Sequence, residues 1–378
     1  MKLTKNLLAI AVAGAMVAPA AMADVEVYGK AHVSAGMLDN DGTNGDSLYM
    51  LPNNSNVGVR GTEDLGNGLK ALYQMEMAID WSGGNGSDFS ANNDAPFRAS
   101  STHTLRDTYV GFGGGWGSFM LGRVNSPYKM ATNNLDPFAD TVGDFNAVMG
   151  MSANGIQHDN RISNSLTYKS NNINGFELSG SYAMNDGADL GSTRDRQVLS
   201  LAGTYKAGPL YVGAAYQTGM ELGIASGTEF EDDEAMKLGA AYSFAQDMAT
   251  IAAVYETIDS GNNADRDSYY VSGTWKMGAT KLALGFAAAD DIGNSSDSDA
   301  THVTGGVYHS LSKATQVYAL YTQLDVGGDS NADGTADAAA SYAGDYKLLN
   351  GFAPSNESAG DYSAMGLFVG VIHNFSSK

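Results

Sequence analysis

The chain has 378 residues, with 21 lysines and arginines against 42 aspartates and glutamates, and it contains no cysteine. The formal net charge of −21 argues against nucleic acid as a partner, because phosphate recognition needs clustered basic residues. The lack of cysteine excludes a disulfide framework. No run of 18 apolar residues occurs after Ala23, which excludes membrane-spanning helices and leaves either soluble domains or one large closed barrel.

The first 23 residues have the pattern of a secretory signal peptide. Lys2 and Lys5 precede an uncharged, mostly apolar run, and Ala21-Met22-Ala23 places small residues at the positions that signal peptidase reads. The run is shorter than the about 20 apolar residues of a spanning helix. We predict export and cleavage after Ala23, so that the mature chain, residues 24–378, carries 19 basic and 42 acidic residues and a net charge of −23.

Apolar and polar residues then alternate with a period of two. In the first mature segment Val25, Val27, Ala31 and Val33 share one face, and Glu26, Tyr28, Lys30 and His32 share the other. The same alternation occurs in 161–168, where Ile162, Leu166 and Tyr168 share the apolar face, and in 236–244 and 269–276. A strand with one apolar and one polar face is half-buried. Many such strands of about ten residues are typical of a transmembrane barrel.

Short and long connections alternate between these segments. Seven short turns are predicted at Glu63–Gly68, Gly113–Gly117, Ser170–Gly175, Lys206–Pro209, Ala245–Asp247, Met277–Gly278 and Leu311–Lys313. Eight long polar segments lie near 38–54, 81–104, 124–159, 185–195, 219–233, 259–266, 291–300 and 325–361. Seven turns and eight loops connect sixteen strands.

These patterns predict an all-β fold, a transmembrane antiparallel β-barrel of 16 strands with short periplasmic turns and long extracellular loops. Only helices or closed barrels satisfy every backbone polar group inside a membrane. A barrel of this size encloses water rather than a packed core. The alternative is a soluble, β-rich secreted protein such as an adhesin, which also has short alternating strands. Aromatic residues near many predicted strand ends favour the barrel.

Several segments resemble the general diffusion porins of Gram-negative bacteria. Val27-Tyr28-Gly29-Lys30 is similar to their opening strand, and residues 56–71, Asn-Val-Gly-Val-Arg-Gly-Thr-Glu-Asp-Leu-Gly-Asn-Gly-Leu-Lys-Ala, are similar to their second hairpin. Residues 106–112 and 117–123 resemble their fourth and fifth strands, residues 161–168 with Asn174-Gly175-Phe176 resemble the hairpin after the third loop, and residues 366–375 resemble their closing strand. The resemblance spans the mature chain.

Two features depart from that family. Ser376-Ser377-Lys378 follow Phe375, whereas the family pattern ends at the aromatic residue that the assembly machinery reads. The third loop has Asp144-Phe-Asn-Ala-Val-Met-Gly150 in place of the family's Pro-Glu-Phe-Gly-Gly-Asp element.

The resemblance implies a passive channel for small hydrophilic solutes and ions in the outer membrane, assembled as a homotrimer. Its subunits would pack through the apolar outer wall of the first strands and of the strand that ends at Phe375. Outer-membrane lipids and lipopolysaccharide would surround it, and divalent cations could bridge lipopolysaccharide to its acidic surface. No cofactor is expected. The alternatives are a substrate-specific channel, for example for oligosaccharides, and an adhesin or structural barrel.

The resemblance also implies that the loop at about 124–159 folds into the barrel and narrows the pore. Asp136, Asp140 and Asp144 recur there every four residues, which predicts a row of acids facing the lumen. Basic residues at the family's wall positions would face them. These wall residues are Lys30, Arg60, Arg106, Arg123 and Arg161. Opposed rows of charge create a transverse field that orients polar solutes and sets ion preference. From the loop acids and the mature charge we predict mild cation selectivity.

The other motifs give weaker evidence about function. Asp329, Asn331, Asp333 and Asp337 follow the spacing of a calcium loop, but Ala340 stands where the bidentate glutamate belongs, so an EF-hand is excluded and only a weak cation site is left. The six histidines are scattered and no nucleophile motif occurs, so no catalytic site and no enzymatic activity are predicted. A sugar channel should present a run of lumen-facing aromatic residues, and the candidates Tyr28, Tyr270 and Tyr308 form no evident run.

Overall fold

The structure, a computed structural model, describes residues 24–40, 47–81, 105–152, 157–183, 197–220, 233–261, 264–293, 298–327 and 362–378. The predicted signal peptide and the candidate cation loop at 329–337 lie outside these ranges. Within the described residues no helix is long and apolar enough to span a membrane.

Strands dominate the described chain. Their bounds are β1 (Asp24–Asn40), β2 (Ser47–Leu51), β3 (Asn56–Gly66), β4 (Leu69–Ala78), β5 (Thr108–Gly114), β6 (Gly117–Asn125), β7 (Arg161–Lys169), β8 (Phe176–Ala183), β9 (Gln197–Ala207), β10 (Leu210–Met220), β11 (Asp233–Phe244), β12 (Ala249–Asp259), β13 (Asp265–Met277), β14 (Thr280–Ala289), β15 (Ala300–Ser310), β16 (Thr315–Val326) and β17 (Tyr362–Ser376).

All these strands form one closed antiparallel sheet, because β17 pairs with β1. β2 and β3 both pair with β1, β2 with Ser34–Leu38 and β3 with Asp24–Lys30, so together they form a single barrel strand. Pro52, which has no backbone N–H, and Asn53, with a φ of 34°, interrupt this strand. The barrel therefore has 16 strands, and the predicted fold class is confirmed.

The two faces of the strands follow the predicted alternation. Val25, Val27 and Met37 of β1 are exposed on the outer wall, whereas His32 and Ser34 are buried inside. Ile162 is an exception, since it is buried rather than placed on the outer wall with Leu166. Asn164 adopts a φ of 50°, and the pairing of β6 with β7 shifts between Gly122 and Val124, which reverses the alternation at this bulge.

The segment between β6 and β7 packs against the inner wall of the barrel. It contains a short helix, α1 (Pro127–Met130), and two 3-10 turns, Asn133–Leu135 and Phe145–Ala147. Phe138, Phe145 and Met149 of this segment join a buried cluster with residues of β12 to β17. We call residues 125–159 the constriction loop.

Glycines on the inner wall make room for the constriction loop. A Cβ added at Gly213 of β10 would collide with the carbonyl oxygen of Ala131, and one at Gly239 of β11 would collide with Leu135. The loop therefore lies directly against the wall at β10 and β11.

Candidate pore constriction

Asp140 brings the constriction loop into contact with the opposite wall. Its Oδ2 lies 2.6 Å from Lys30 Nζ, and its Oδ1 accepts a hydrogen bond from the side-chain amide of Asn54. The side chain is 35% exposed, and its backbone φ is 66°. Burial alone would raise the pKa of Asp140, but the Lys30 ammonium and the Asn54 amide hold it below its ordinary value. Asp140 is thus an ionised carboxylate at the gap between loop and wall.

The other basic wall residues near Asp140 are paired with carboxylates of the wall itself. Arg106 donates to Glu76 and to the Asn54 side chain. Glu76 also accepts a hydrogen bond of 2.8 Å from the Tyr28 hydroxyl. Arg161 Nε lies 2.9 Å from Asp107 Oδ1. Charge-assisted bonds of this kind fix both partners more firmly than neutral ones.

Arg60 lies toward the end of the barrel where the short turns are. Its Nε and Nη2 donate to the two carboxylate oxygens of Glu26, at 2.8 and 3.2 Å. Its guanidinium carbon lies 4.6 Å from the centre of the Tyr28 ring. Arg60 is 50% exposed, which makes it the wall base most open to water in these pairs.

Arg123 lies at the bulge between β6 and β7, where the pairing shifts between Gly122 and Val124, so the alternation of Phe119 and Leu121 does not fix the face on which it lies. It donates to the hydroxyl of Ser163 on the neighbouring strand. The bulge brings it beside a polar partner on β7 rather than leaving it aligned with the outward-facing Leu121.

Asp136 and Asp144 do not form a lumen-facing row with Asp140, contrary to the sequence-based prediction. Both are only 6% exposed. Asp136 accepts from the backbone N–H groups of Phe138 and Phe145 and, at 2.7 Å, from the Tyr270 hydroxyl. Asp144 accepts from the backbone N–H groups of Asn146 and Asp140. The loop is compact rather than helical, so the four-residue spacing does not place the three acids on one face.

A buried ionic cluster holds the far side of the constriction loop to the wall. Lys237 Nζ of β11 lies 2.7 Å from Asp159 Oδ2 of the loop and 2.9 Å from Glu256 Oε2 of β12. Glu256 also accepts from the Tyr128 hydroxyl at 2.8 Å and from the Gly150 backbone N–H at 2.6 Å. All three charged side chains are almost completely buried. We call Lys237, Asp159 and Glu256 the anchor cluster.

Aromatic residues of the inner wall form a run that the sequence pattern does not show. The rings of Tyr318 and Tyr308 are 5.3 Å apart, Phe138 of the loop lies 6.2 Å from Tyr308, and Phe145 lies 5.1 Å from Tyr270. Tyr270 and Tyr308 are each only 2% exposed. The run therefore packs the loop against the wall and does not line the open lumen.

Sequence reasoning predicted a set of basic wall residues but did not indicate which carboxylates they contact. Glu26 and Lys237 stand on the polar faces of their strands, which is a signal for an inward position. Nothing in the local pattern indicates that Glu76 or Asp107 pairs with an arginine from a different part of the chain. Glu256 was missed for the same reason.

Comparison with known proteins shows the family to which the chain belongs. A family model described as Gram-negative porin matches residues 8–329. The chain is 30% identical to outer membrane porin protein 32 of Delftia acidovorans over 330 residues, which is 83% of this chain and 87% of that protein. It is 24% identical to a chitoporin of Vibrio furnissii over 314 residues, which is 75% of this chain and 81% of that protein.

A solved structure has the same fold. The anion-selective porin from Comamonas acidovorans superposes with a TM-score of 0.72 at 24% identity, covering 93% of this chain and 100% of that one. The family match, the closed 16-strand barrel and the loop folded against its inner wall agree with one another. The chain belongs to the Gram-negative porin family, and it is an outer-membrane diffusion channel rather than an enzyme.

Proposed function

We propose that this porin passes small hydrophilic solutes and ions without a dedicated binding site, and that it has a weak preference for anions. The observation that carries the proposal is the pairing of charges at the constriction. Lys30, Arg60, Arg106 and Arg161 each have a carboxylate partner within hydrogen-bonding distance. Paired charges orient a polar solute without holding it, because neither sign is left to bind an ion tightly.

The anion preference replaces the cation preference expected from the sequence. That expectation depended on three loop acids, and Asp136 and Asp144 are buried within the loop. In the described part of the constriction, the acidic side chains are Glu26, Glu76, Asp107 and Asp140, and the basic ones are Lys30, Arg60, Arg106, Arg123 and Arg161. Among these named side chains the bases outnumber the acids by five to four, whereas the whole chain is acidic. Local charges in a narrow gap govern selectivity more than distant surface charges, which salt screens.

A channel dedicated to oligosaccharides is less well supported. The similarity to a chitoporin raises this alternative. Sugar recognition along a pore would use the exposed faces of aromatic rings, whereas Tyr270 and Tyr308 are covered by the constriction loop. The lumen-facing Tyr28 is engaged by Arg60 over its ring and by Glu76 at its hydroxyl.

We further propose that three copies assemble through the outer wall around β1 and β17. Leu367, Val369 and Val371 of β17 are exposed there, and Ala31 and Ala35 lie on the outward face of β1. An apolar surface of this kind is typical of the interfaces between identical subunits. Lipid and lipopolysaccharide contacts remain predictions from the sequence.

The test is planar-bilayer recording of the refolded mature protein, with the reversal potential measured under a potassium chloride gradient. We expect stepwise openings in groups of three and a reversal potential displaced slightly toward the chloride equilibrium potential. Addition of chitooligosaccharides should leave the current unchanged. Openings of single size would contradict the trimer, and displacement toward the potassium equilibrium potential would contradict the anion preference.

An absence of conductance from protein that is demonstrably folded and inserted would contradict the proposal that the protein is a channel. Folding can be followed separately, because intact barrels and unfolded chains migrate differently on gels before and after heating. A concentration-dependent block by chitooligosaccharides would instead support the sugar-specific alternative.

A further inference from the structure

The pairing of β17 with β1 continues beyond Phe375. Tyr28 stands opposite Ser376, and the Ser377 backbone N–H donates to the Val27 carbonyl at 2.8 Å. The Val27 backbone N–H in turn donates to the Ser377 hydroxyl at 3.0 Å. Lys378 Nζ lies 2.5 Å from Asp24 Oδ1. The three residues after Phe375 are therefore part of the seam that closes the barrel.

Ser376 makes a side-chain contact in addition to the backbone pairing that closes the barrel. Its hydroxyl donates to Glu26 Oε1 at 2.7 Å, and Glu26 is the carboxylate that holds Arg60. Ser376 is the register partner of Tyr28, and Glu26 lies two residues before Tyr28, so all three side chains share the lumen face. Glu26 thereby accepts three hydrogen bonds, two from Arg60 and one from Ser376.

We propose that Glu26 is a specificity-determining residue of the pore and that Ser376 is its positioning residue. The inference rests on the proposed diffusion function and adds a second selective position to the constriction. Arg60 is half exposed to the lumen, so its effective charge depends on how firmly Glu26 stays beside it. The Ser376 hydroxyl restricts Glu26 to the rotamer that reaches Arg60, and this keeps the charge at this end of the constriction nearly balanced.

The position matters because it belongs to the same network as the constriction. Arg60 lies over the Tyr28 ring, and the Tyr28 hydroxyl donates to Glu76. Glu76 accepts from Arg106, which donates to Asn54, which donates to Asp140 of the loop. Polar contacts thus connect the end of the closing strand to the tip of the constriction loop, with Glu26 and Asp140 near the two ends.

The experiment measures the reversal potential under a potassium chloride gradient for four variants of the mature protein. Glu26→Gln should move the reversal potential toward the chloride equilibrium potential, because Arg60 loses its counter-charge. Ser376→Ala should move it in the same direction by a smaller amount. Ser376→Thr keeps the hydroxyl and should restore the wild-type value.

Ser377→Ala is the matched control. It removes a hydroxyl from the same seam, and with it the bond from Val27, but that hydroxyl does not contact Glu26. It should lower the temperature at which the barrel unfolds without moving the reversal potential. Folding of every variant is checked by migration before and after heating.

Three outcomes would overturn the inference. An unchanged reversal potential in Glu26→Gln would remove Glu26 as a specificity residue. A shift in Glu26→Gln with none in Ser376→Ala would remove Ser376 as its positioning residue. Equal shifts in Ser376→Ala and Ser377→Ala would assign the effect to the seam as a whole. A folded wild-type protein without conductance would instead contradict the proposed function. That failure is distinguishable from failure of this inference, because it is observed with the wild-type protein before any variant is made.

Discussion

Asp140 combines an uncommon backbone conformation with a contact across the pore. Its φ of 66° lies in the left-handed region, which costs free energy for a residue with a side chain, although aspartate and asparagine tolerate it best. Such strain persists only where the surrounding structure holds it. Here the backbone N–H bonds to Asp144, and the carboxylate bonds to Lys30 and Asn54. The loop tip is thereby fixed at the height of the basic wall.

Replacing Asp140 by Asn should shift ion selectivity toward anions. The change removes one negative charge from the gap and leaves Lys30 without its partner, while asparagine preserves the backbone conformation. The measurement is the reversal potential under a salt gradient. Asp144→Asn is the control, since Asp144 is buried in the loop and should give a much smaller shift. Equal shifts for both variants would show that Asp144 also acts on permeating ions.

Asp136 gives the constriction loop a dependence on pH. Burial and the neighbouring Asp144 carboxylate raise the pKa of Asp136 from 3.8 to about 7. Its hydrogen bonds from Tyr270 and two backbone N–H groups favour the charged form but do not outweigh burial. Because this pKa is higher in the folded state, its contribution to stability is complete below about pH 4 and is lost as the pH rises through 7.

We therefore expect the loop to be held more firmly at pH 5 than at pH 8. Hydrogen exchange of the backbone amides in residues 133–150, corrected for the intrinsic effect of pH on exchange, should show greater protection at pH 5. Asp136→Asn should remove this difference. If the substituted protein kept the same pH dependence, another group would have to carry it.

At the scale of elements, the anchor cluster determines how the constriction loop is attached. The Lys237 ammonium lies between two buried carboxylates, Asp159 and Glu256. Removing one partner of a buried ion pair leaves an uncompensated charge, and this costs more than the intact pair contributes.

Lys237→Met should destabilise the protein by about 3–5 kcal/mol and loosen the loop. Equilibrium unfolding in lipid vesicles measures the first effect, and the noise of the open-channel current measures the second. The control combines Lys237→Met with Asp159→Asn and Glu256→Gln, which removes all three charges. It should recover much of the lost stability. A triple variant as unstable as the single one would show that packing, rather than charge, is lost.

The sequence predicts elements better than it predicts how they meet. The strands and short turns follow from alternation and turn residues, and both are local signals. The bulge at Asn164 is visible only in the backbone, so Ile162 was assigned to the wrong face. The fold of the constriction loop depends on contacts with β10 to β16, which no spacing within residues 125–159 encodes. Asp136 and Asp144 were misplaced for that reason.

At the scale of the whole molecule, the outer wall is apolar, and the inner wall is polar except where the constriction loop packs against β12 to β17. Leu284 of β14 is 69% exposed at the middle of its strand, whereas Gln74 of β4 stands beside Arg60 and Tyr109 on the lumen face. Alternation predicts the apolar outer wall and the polar lumen, but it does not predict the apolar inner patch that the constriction loop covers. The sequence leaves undecided which faces meet another subunit and which meet lipid, because both environments are apolar.

Leu284→Lys should reduce the stability of the barrel in a bilayer by about 2–4 kcal/mol, as expected for a charge near the membrane midplane. Gln74→Lys introduces the same side chain into the aqueous lumen and should cost far less. Folding titrations in lipid vesicles compare the two. Similar losses from both would mean that Leu284 is not in contact with lipid hydrocarbon.

The pattern of the outer wall has a consequence for export of the chain across the inner membrane, before it folds. The apolar side chains of the outer wall are separated in the sequence by polar ones. An extended segment of the mature chain therefore contains no apolar stretch long enough to insert into the inner membrane as a helix. The continuous hydrophobic belt comes into being only when neighbouring strands align side by side. Affinity for lipid is therefore acquired through assembly. The same polypeptide can therefore cross the inner membrane unfolded and remain in the outer membrane once it has folded.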